Sequence, residues 1–222
     1  MKMINGQTVP ENLSLPELAE MMGTSDVQIF AVACEALRLA NTQQAYEVLK
    51  KHISVADKYK FRCILGVIFD YSSACELVCA LEYALQSEEM FLVKTALNNI
   101  IQGKVRVADE QVLACIEKNH HKLDSYSYRV LTRIKGTSES INRILNLYHT
   151  CKEDSCRVVI AECLYHFCSI NNYLQLFALF ESEDAPHIRI LACRIAKDYN
   201  RADLLQKFTH DKDGHIRKLV LS

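Results

Sequence analysis

Residues 184–222 read DAPHIRILACRIAKDYNRADLLQKFTHDKDGHIRKLVLS, and this stretch decides the fold. Asp184 closes the polar turn Glu181–Asp184, and Pro186 follows where the first turn of a helix has no use for a backbone N–H. Ile188, Ile190, Leu191, Ala192, Ile195 and Ala196 then recur at helical spacing on more than one face, as in a helix sandwiched between neighbours. Tyr199–Arg201 interrupt the pattern, and Leu204, Leu205 and Phe208 form a second, shorter apolar set. Asp211–Gly214 turn again, and Ile216, Leu219, Val220 and Leu221 begin the first set anew. The unit is a pair of helices repeating after about thirty residues, the signature of a helical repeat array.

Working back along the chain, the acidic residue at the turn recurs as Asp26, Asp57, Glu88, Asp124, Asp154, Asp184 and Asp213, at intervals of 31, 31, 36, 30, 30 and 29. A carboxylate at a helix start accepts backbone N–H bonds and meets the positive end of the helix dipole, so each is expected to open a helix. A basic series trails it by three to six residues: Arg62, Lys94, Arg129, Arg157, Arg189 and Arg217. A long cation in the first turns of one helix can reach the acidic start of a neighbouring repeat. The expectation is a structural ladder in which Asp154, Arg157, Asp184, Arg189, Asp213 and Arg217 fix register more than they add stability.

The remaining segments fit helix pairs. Residues 30–40 and 44–53 form one pair, and 59–69 and 74–85 the next, with Ser73 and Glu76 read as a capping box. Residues 90–101 end at Gly103, a C-terminal stop. Segments 112–119 and 126–134 follow, the latter ending at Gly136, then 156–168 and 173–180. Ser14, Pro16 and Glu17 mark a helix start running to Met22, and residues 1–12 read as a loose N-terminal segment. Gly66, inside a helix, is taken to mark close approach of two backbones. With 6 Gly and 3 Pro among 222 residues, and half of them hydrophobic, the chain has a core but lacks the turn residues of an all-β protein.

The run Asp184, Ile188-Arg189, Leu191-Ala192 resembles the HEAT-repeat pattern, in which a turn Asp precedes a Val/Ile-Arg pair and then an Ala. Asp213 with Ile216-Arg217 repeats its opening, and Asp154 with Cys156-Arg157 and Ala161 is similar with a one-residue slip. The resemblance covers residues 154–222 by motif and 26–153 by period only. It implies an all-α fold, an α–α superhelix of the HEAT-like solenoid kind. One domain over 1–222 would hold about six to seven antiparallel helix pairs, with the Arg-bearing helices on the concave side. Tetratricopeptide repeats are disfavoured, because the chain has no Trp and an uneven period.

Ten cysteines without a C-x-x-C spacing imply free thiols in a reducing compartment, and a cytoplasmic location is expected. Most are expected to be buried as small apolar side chains, among them Cys75 and Cys79 on one helix face. His120 and His121, adjacent in sequence, are expected to point to different faces rather than chelate, and neither metal nor cofactor is expected. The longest apolar stretch, 64–69, is far short of a membrane span. No phosphate-binding loop, nucleophile elbow or metalloprotease motif occurs, and there is no His-Glu dipeptide of the di-iron HEAT hydroxylase kind, so catalysis is not expected.

Formal net charge is -1, with residues 1–125 at -4 and 126–222 at +3. An alkyl-base DNA glycosylase of the HEAT-like kind would offer DNA Arg62, Lys94, Arg129, Arg133, Arg157 and Arg194, with Tyr126 and Tyr128 beside them. The near-neutral balance and the missing Trp disfavour nucleic acid as the partner. The leading expectation is a non-catalytic scaffold presenting a concave helical groove to a peptide or protein. Tyr126, Arg129, Arg133, Glu162, His166 and Arg194 are the expected contacts. The apolar Leu219, Val220 and Leu221 suggest either a fragment of a longer array or a homodimer through the C-terminal end.

Overall fold

The computed structural model describes residues 3–4, 7–8 and 13–221, and apart from one two-residue antiparallel pairing, Met3–Ile4 with Gln7–Thr8, it is all-helical. The remainder of the expected loose segment 1–12 lies outside the described residues.

The chain divides into two compact units, Met1–Cys115 and Ile116–Ser222. The first holds α1 (Leu15–Met21), α2 (Val27–Ala40), α3 (Gln43–Ile53), α4 (Lys58–Ile68), α5 (Val78–Gln86) and α6 (Met90–Ile101). Helix α7 (Asp109–Asn119) spans the boundary. The second holds α8 (Ser125–Tyr128), α9 (Ser138–Thr150), α10 (Asp154–His166), α11 (Tyr173–Glu181), α12 (Pro186–Asp198), α13 (Ala202–Leu205) and α14 (Gly214–Leu221).

In the first unit α2 packs on α4 and α4 on α6, with α3 and α5 filling the intervals. In the second α8 packs on α10, α10 on α12 and α12 on α14, with α9, α11 and α13 alongside. The apolar positions explain this. Phe30, Ala33, Leu37, Ile64, Leu65, Ile68, Val93, Ala96 and Leu97 are buried along α2, α4 and α6, and Ile160, Leu164, Ile188, Ala192, Ile195 and Ile216 along α10, α12 and α14. Removing a side chain such as Leu37 or Leu164 from such a core costs about 2–5 kcal/mol.

The helix starts are built as the carboxylate spacing suggests at four of seven places. Asp26, Asp57, Asp124 and Asp213 each accept from backbone N–H groups of the first turn. At the other three the register slips. Glu89 rather than Glu88 occupies the N-cap of α6, Glu153 rather than Asp154 that of α10, and Ala185 rather than Asp184 that of α12. Ser14 begins α1 with its N–H and hydroxyl both donating to Glu17 (2.7 and 2.6 Å).

Helix ends follow the expected chemistry at Gly103. Its φ is 72°, its N–H donates to Ile100 O (2.9 Å) and that of Lys104 to Asn99 O (3.1 Å), a Schellman ending of α6. Asn41 and Asn200, at φ 47° and 53°, end α2 and α12 in the same left-handed region.

Other expectations are corrected. Segment 72–77 is a 3-10 turn preceding α5, and Ser73 and Glu76 form no capping box. Ser73 instead donates to Gln43, and Glu76 accepts from Tyr46 and Lys50 of α3. Segment 126–134 is α8 followed by 3-10 turns over Arg129–Arg133. Helix α9 has no counterpart in the sequence reading, although Thr137 caps it and Ile144, Leu145 and Tyr148 are buried along it. Gly66 is exposed, and a Cβ there would meet nothing within 4 Å, so no backbone approaches it. Cys75 and Cys79 are exposed, because one belongs to the 3-10 turn and the other to α5, and the two do not share a buried helix face.

These glycines make a paired prediction. Gly66→Ala fits its helix and is expected to stabilise the protein by about 1 kcal/mol. Gly103→Ala places a Cβ in the left-handed region and is expected to destabilise it by about 1–2 kcal/mol. Urea unfolding followed by circular dichroism measures both.

Candidate functional site

The ladder residues sort into two kinds of contact. Arg189, on α12, is almost fully enclosed. Its Nε and Nη2 donate to Asp211 at 2.8 and 2.9 Å, and its Nη1 donates to the carbonyls of Glu183 and Asp184, both at 2.7 Å. Both members of the pair lie under cover, with side chains 5% and 7% exposed. The guanidinium therefore ties the turn before its own helix to the turn before the next one. Arg157, on α10, repeats the move by placing Nη2 on both carboxylate oxygens of Glu183 (2.6 and 2.7 Å), while its guanidinium lies over Tyr148. Tyr148 also donates to Glu183 (2.5 Å). Arg217 reaches back to the carbonyls of Asp211 and Lys212 in its own turn.

The carboxylates that bridge repeats are thus Glu183 and Asp211, neighbours of the Asp184 and Asp213 singled out by spacing. Asp213 caps α14. Asp184 is fully exposed, with Lys212 at 3.3 Å, and Asp154 is 87% exposed, with Arg157 at 3.8 Å. Spacing could not choose between adjacent acids, since only their direction from the turn does so. In the first unit Lys58 reaches Glu89 (2.5 Å) in the same sense, and Asp70 holds both Arg38 (3.2 Å) and Lys104 (2.5 Å).

The six expected contact residues, Tyr126, Arg129, Arg133, Glu162, His166 and Arg194, are all exposed. They project from three segments that pack side by side in the second unit: α8 with its following 3-10 turns, α10 and α12. Glu162 and His166 are one turn apart on α10. The segments that carry Arg129 and Arg194 both pack against α10. Arg129 lies 5.8 Å over the Tyr126 ring. Among the described residues neither Arg129 nor Arg194 makes an ion pair, in contrast to Arg143, Arg157, Arg189 and Arg201, each of which holds a carboxylate.

Two cavities were missed from sequence. One, of about 380 Å³ in the first unit, is lined by Ile53, Phe61, Ala80, Tyr83 and Leu92, with Lys58 and Cys79 among its walls. The other, of about 290 Å³ in the second, gathers His120, His121, Thr150, Cys151, Lys152, Glu153 and Cys156. The two imidazoles do not point apart as expected. Both residues lie in the turn beyond α7, where helical geometry no longer separates neighbours, and their ring centroids are 3.4 Å apart. Among the described residues no group of three or more His, Cys, Asp or Glu is arranged to hold a metal ion. Among them, too, no helix is long and apolar enough to cross a membrane.

No protein-family model matches the chain, and no curated protein is similar to it in sequence at a significant level. A functional reading therefore rests on these residues.

The enclosed Arg189–Asp211 pair makes a prediction. Arg189→Met leaves Asp211 without its cation and two carbonyls without their donor, and should cost about 3–5 kcal/mol in urea unfolding. Arg189 is also the main cause holding the Asp211 carboxyl below the usual aspartate range. A group whose pKa is lower folded than unfolded contributes stability above its unfolded value, near pH 4, and loses it as pH falls through the folded value. Asp211→Asn should therefore flatten the acid limb of a stability–pH curve below about pH 4.

Proposed function

We propose that the chain is a HEAT-like array of helix pairs and a non-catalytic protein–protein interaction scaffold. Its second unit receives a peptide or protein on the face that carries Tyr126, Arg129, Arg133, Glu162, His166 and Arg194. One observation carries the reading: six polar or aromatic side chains from three segments that pack side by side are all left exposed, while Arg157 and Arg189 are drawn into the fold. Among the described residues Arg129 and Arg194 hold no carboxylate. Arginine and tyrosine are the residue types that dominate binding energy where a partner excludes water.

The HEAT assignment draws on the thirty-residue period and on the Ile-Arg pairs at Arg189 and Arg217, whose guanidiniums tie turns together. A reducing, cytoplasmic setting fits ten cysteines that are all free thiols.

The test uses the purified chain as bait in an extract of its native host, against an Arg129→Glu/Arg194→Glu variant. Arg157 and Arg189 are left intact, since their side chains hold the turns. The variant should melt as the parent does, within about 0.5 kcal/mol as for surface changes away from special features. It should lose a specific protein partner that the parent retains. A partner set unchanged by the double reversal would remove this face from consideration. Recovery of nucleic acid, released steeply by salt, would replace the protein reading with the nucleic-acid one.

A further inference from the structure

The cavity of the second unit brings two thiols to one place. Cys151 ends α9, its N–H donating to Leu147 O, and its backbone is extended at ψ 122°. Residues 151–153 form the connection, and Cys156 is the third residue of α10. Cys151 and Cys156 line the same 290 Å³ space with His120 and His121.

Neither thiol is held firmly. The Cys151 Sγ donates to Glu153 O at 3.6 Å and the Cys156 Sγ to Leu123 O at 3.9 Å. The Glu153 carbonyl also accepts the Arg157 N–H (2.9 Å), so it stays bonded when the Cys151 thiol leaves. Cys151 lies in a non-helical connection, where its side chain can turn without breaking a helix.

We propose that Cys151 and Cys156 form an oxidation site that a hydroperoxide converts to a disulfide across the α9–α10 connection.

The two thiols divide the work by exposure. Cys151 is half-buried and meets the oxidant. Cys156 is 2% exposed, and burial pushes its thiol up to about 12, so it stays protonated and reacts second. His120 Nδ1 lies 3.0 Å from Glu117 O. A carbonyl can only accept, so Nδ1 bears the proton in the neutral ring and Nε2 is left as the basic nitrogen. This imidazole lines the same cavity as Cys151.

The Cys151 thiolate attacks one peroxide oxygen. An S–O bond forms, the O–O bond breaks, and the departing hydroxide takes up a proton as water, leaving Cys151 as the sulfenic acid. The Cys156 sulfur then attacks the Cys151 sulfur. The S–S bond forms, the S–O bond breaks, and hydroxide leaves with the Cys156 proton as a second water. Two thiols lose two electrons and one hydrogen peroxide becomes two waters. The other buried thiols, Cys34, Cys115, Cys163 and Cys193, lie within helices, and the exposed Cys75 and Cys79 are in the first unit.

The experiment treats the reduced full-length chain with one equivalent of hydrogen peroxide, alkylates remaining thiols after denaturation, and maps tryptic peptides by mass spectrometry. Trypsin cuts after Lys152, which separates Cys151 (peptide 144–152) from Cys156 (peptide 153–157). The expected product is these two peptides joined and two hydrogens lighter than their sum. It should be absent from Cys151→Ser and from Cys156→Ala, and released by dithiothreitol. Circular dichroism of Cys151→Ser, a change at a half-exposed position, shows that the fold is kept. Recovery of both peptides alkylated would overturn the proposal. So would Cys151 found as sulfinic or sulfonic acid with no joined pair.

Discussion

Short helices leave many backbone groups without partners, and that constraint shapes this protein more than any single contact. Each helix end exposes four N–H or four C=O groups that its own ladder cannot satisfy, and the helices here run from 4 to 14 residues. The chain meets the demand at the N-termini with Asp26, Asp57, Asp124 and Asp213. Near three helix C-termini it uses side chains from farther along the chain. Tyr71 donates to Leu37 O, Asn99 to Leu65 O, and Cys163 to Tyr128 O, each from 34 or 35 residues further along. A donor of this kind secures both the carbonyl and the register of the neighbouring helix.

The arginines extend the same logic to the turns. A turn that precedes a buried helix presents carbonyls to the interior, and a planar guanidinium with five donors can serve several of them while engaging a carboxylate. Arg189 does this for two turns together, and Lys in its place would offer a point charge without the fork. Charge in the second unit therefore divides by role. Arg157, Arg189 and Arg217 are occupied in holding turns. Arg129 and Arg194 stand exposed on the segments that pack against α10. That division, rather than the number of basic residues, is what supports the proposed face.

Cysteine follows a similar division. Buried within helices it behaves as a small apolar residue, and burial above all, with the nearby Glu162 and Asp211 charges respectively, pushes the Cys163 and Cys193 thiols up to about 12. Where the chain leaves helical geometry at 151–153, a half-exposed thiol comes to share a cavity with a buried one and with two imidazoles.

Periodicity alone determined that the chain is helical, where most helices lie, and that acidic and basic residues recur at the turns, because a helix start needs an acceptor and a core needs apolar residues every three or four positions. It also marked Gly103 as a stop, since a left-handed residue beyond a helix favours glycine. Tertiary structure decided the rest. Whether Glu183 or Asp184 meets Arg157 depends on which way each side chain leaves the turn, and a shift of one residue reverses it. Gly66 lacks a neighbour because it stands on the exposed side of α4, which spacing along one helix cannot reveal. His120 and His121 meet because the helix has already ended, and Cys151 and Cys156 share a cavity because a connection folds back on a helix start. Directions and distances between separate segments are set by packing, and no local pattern of residues encodes them.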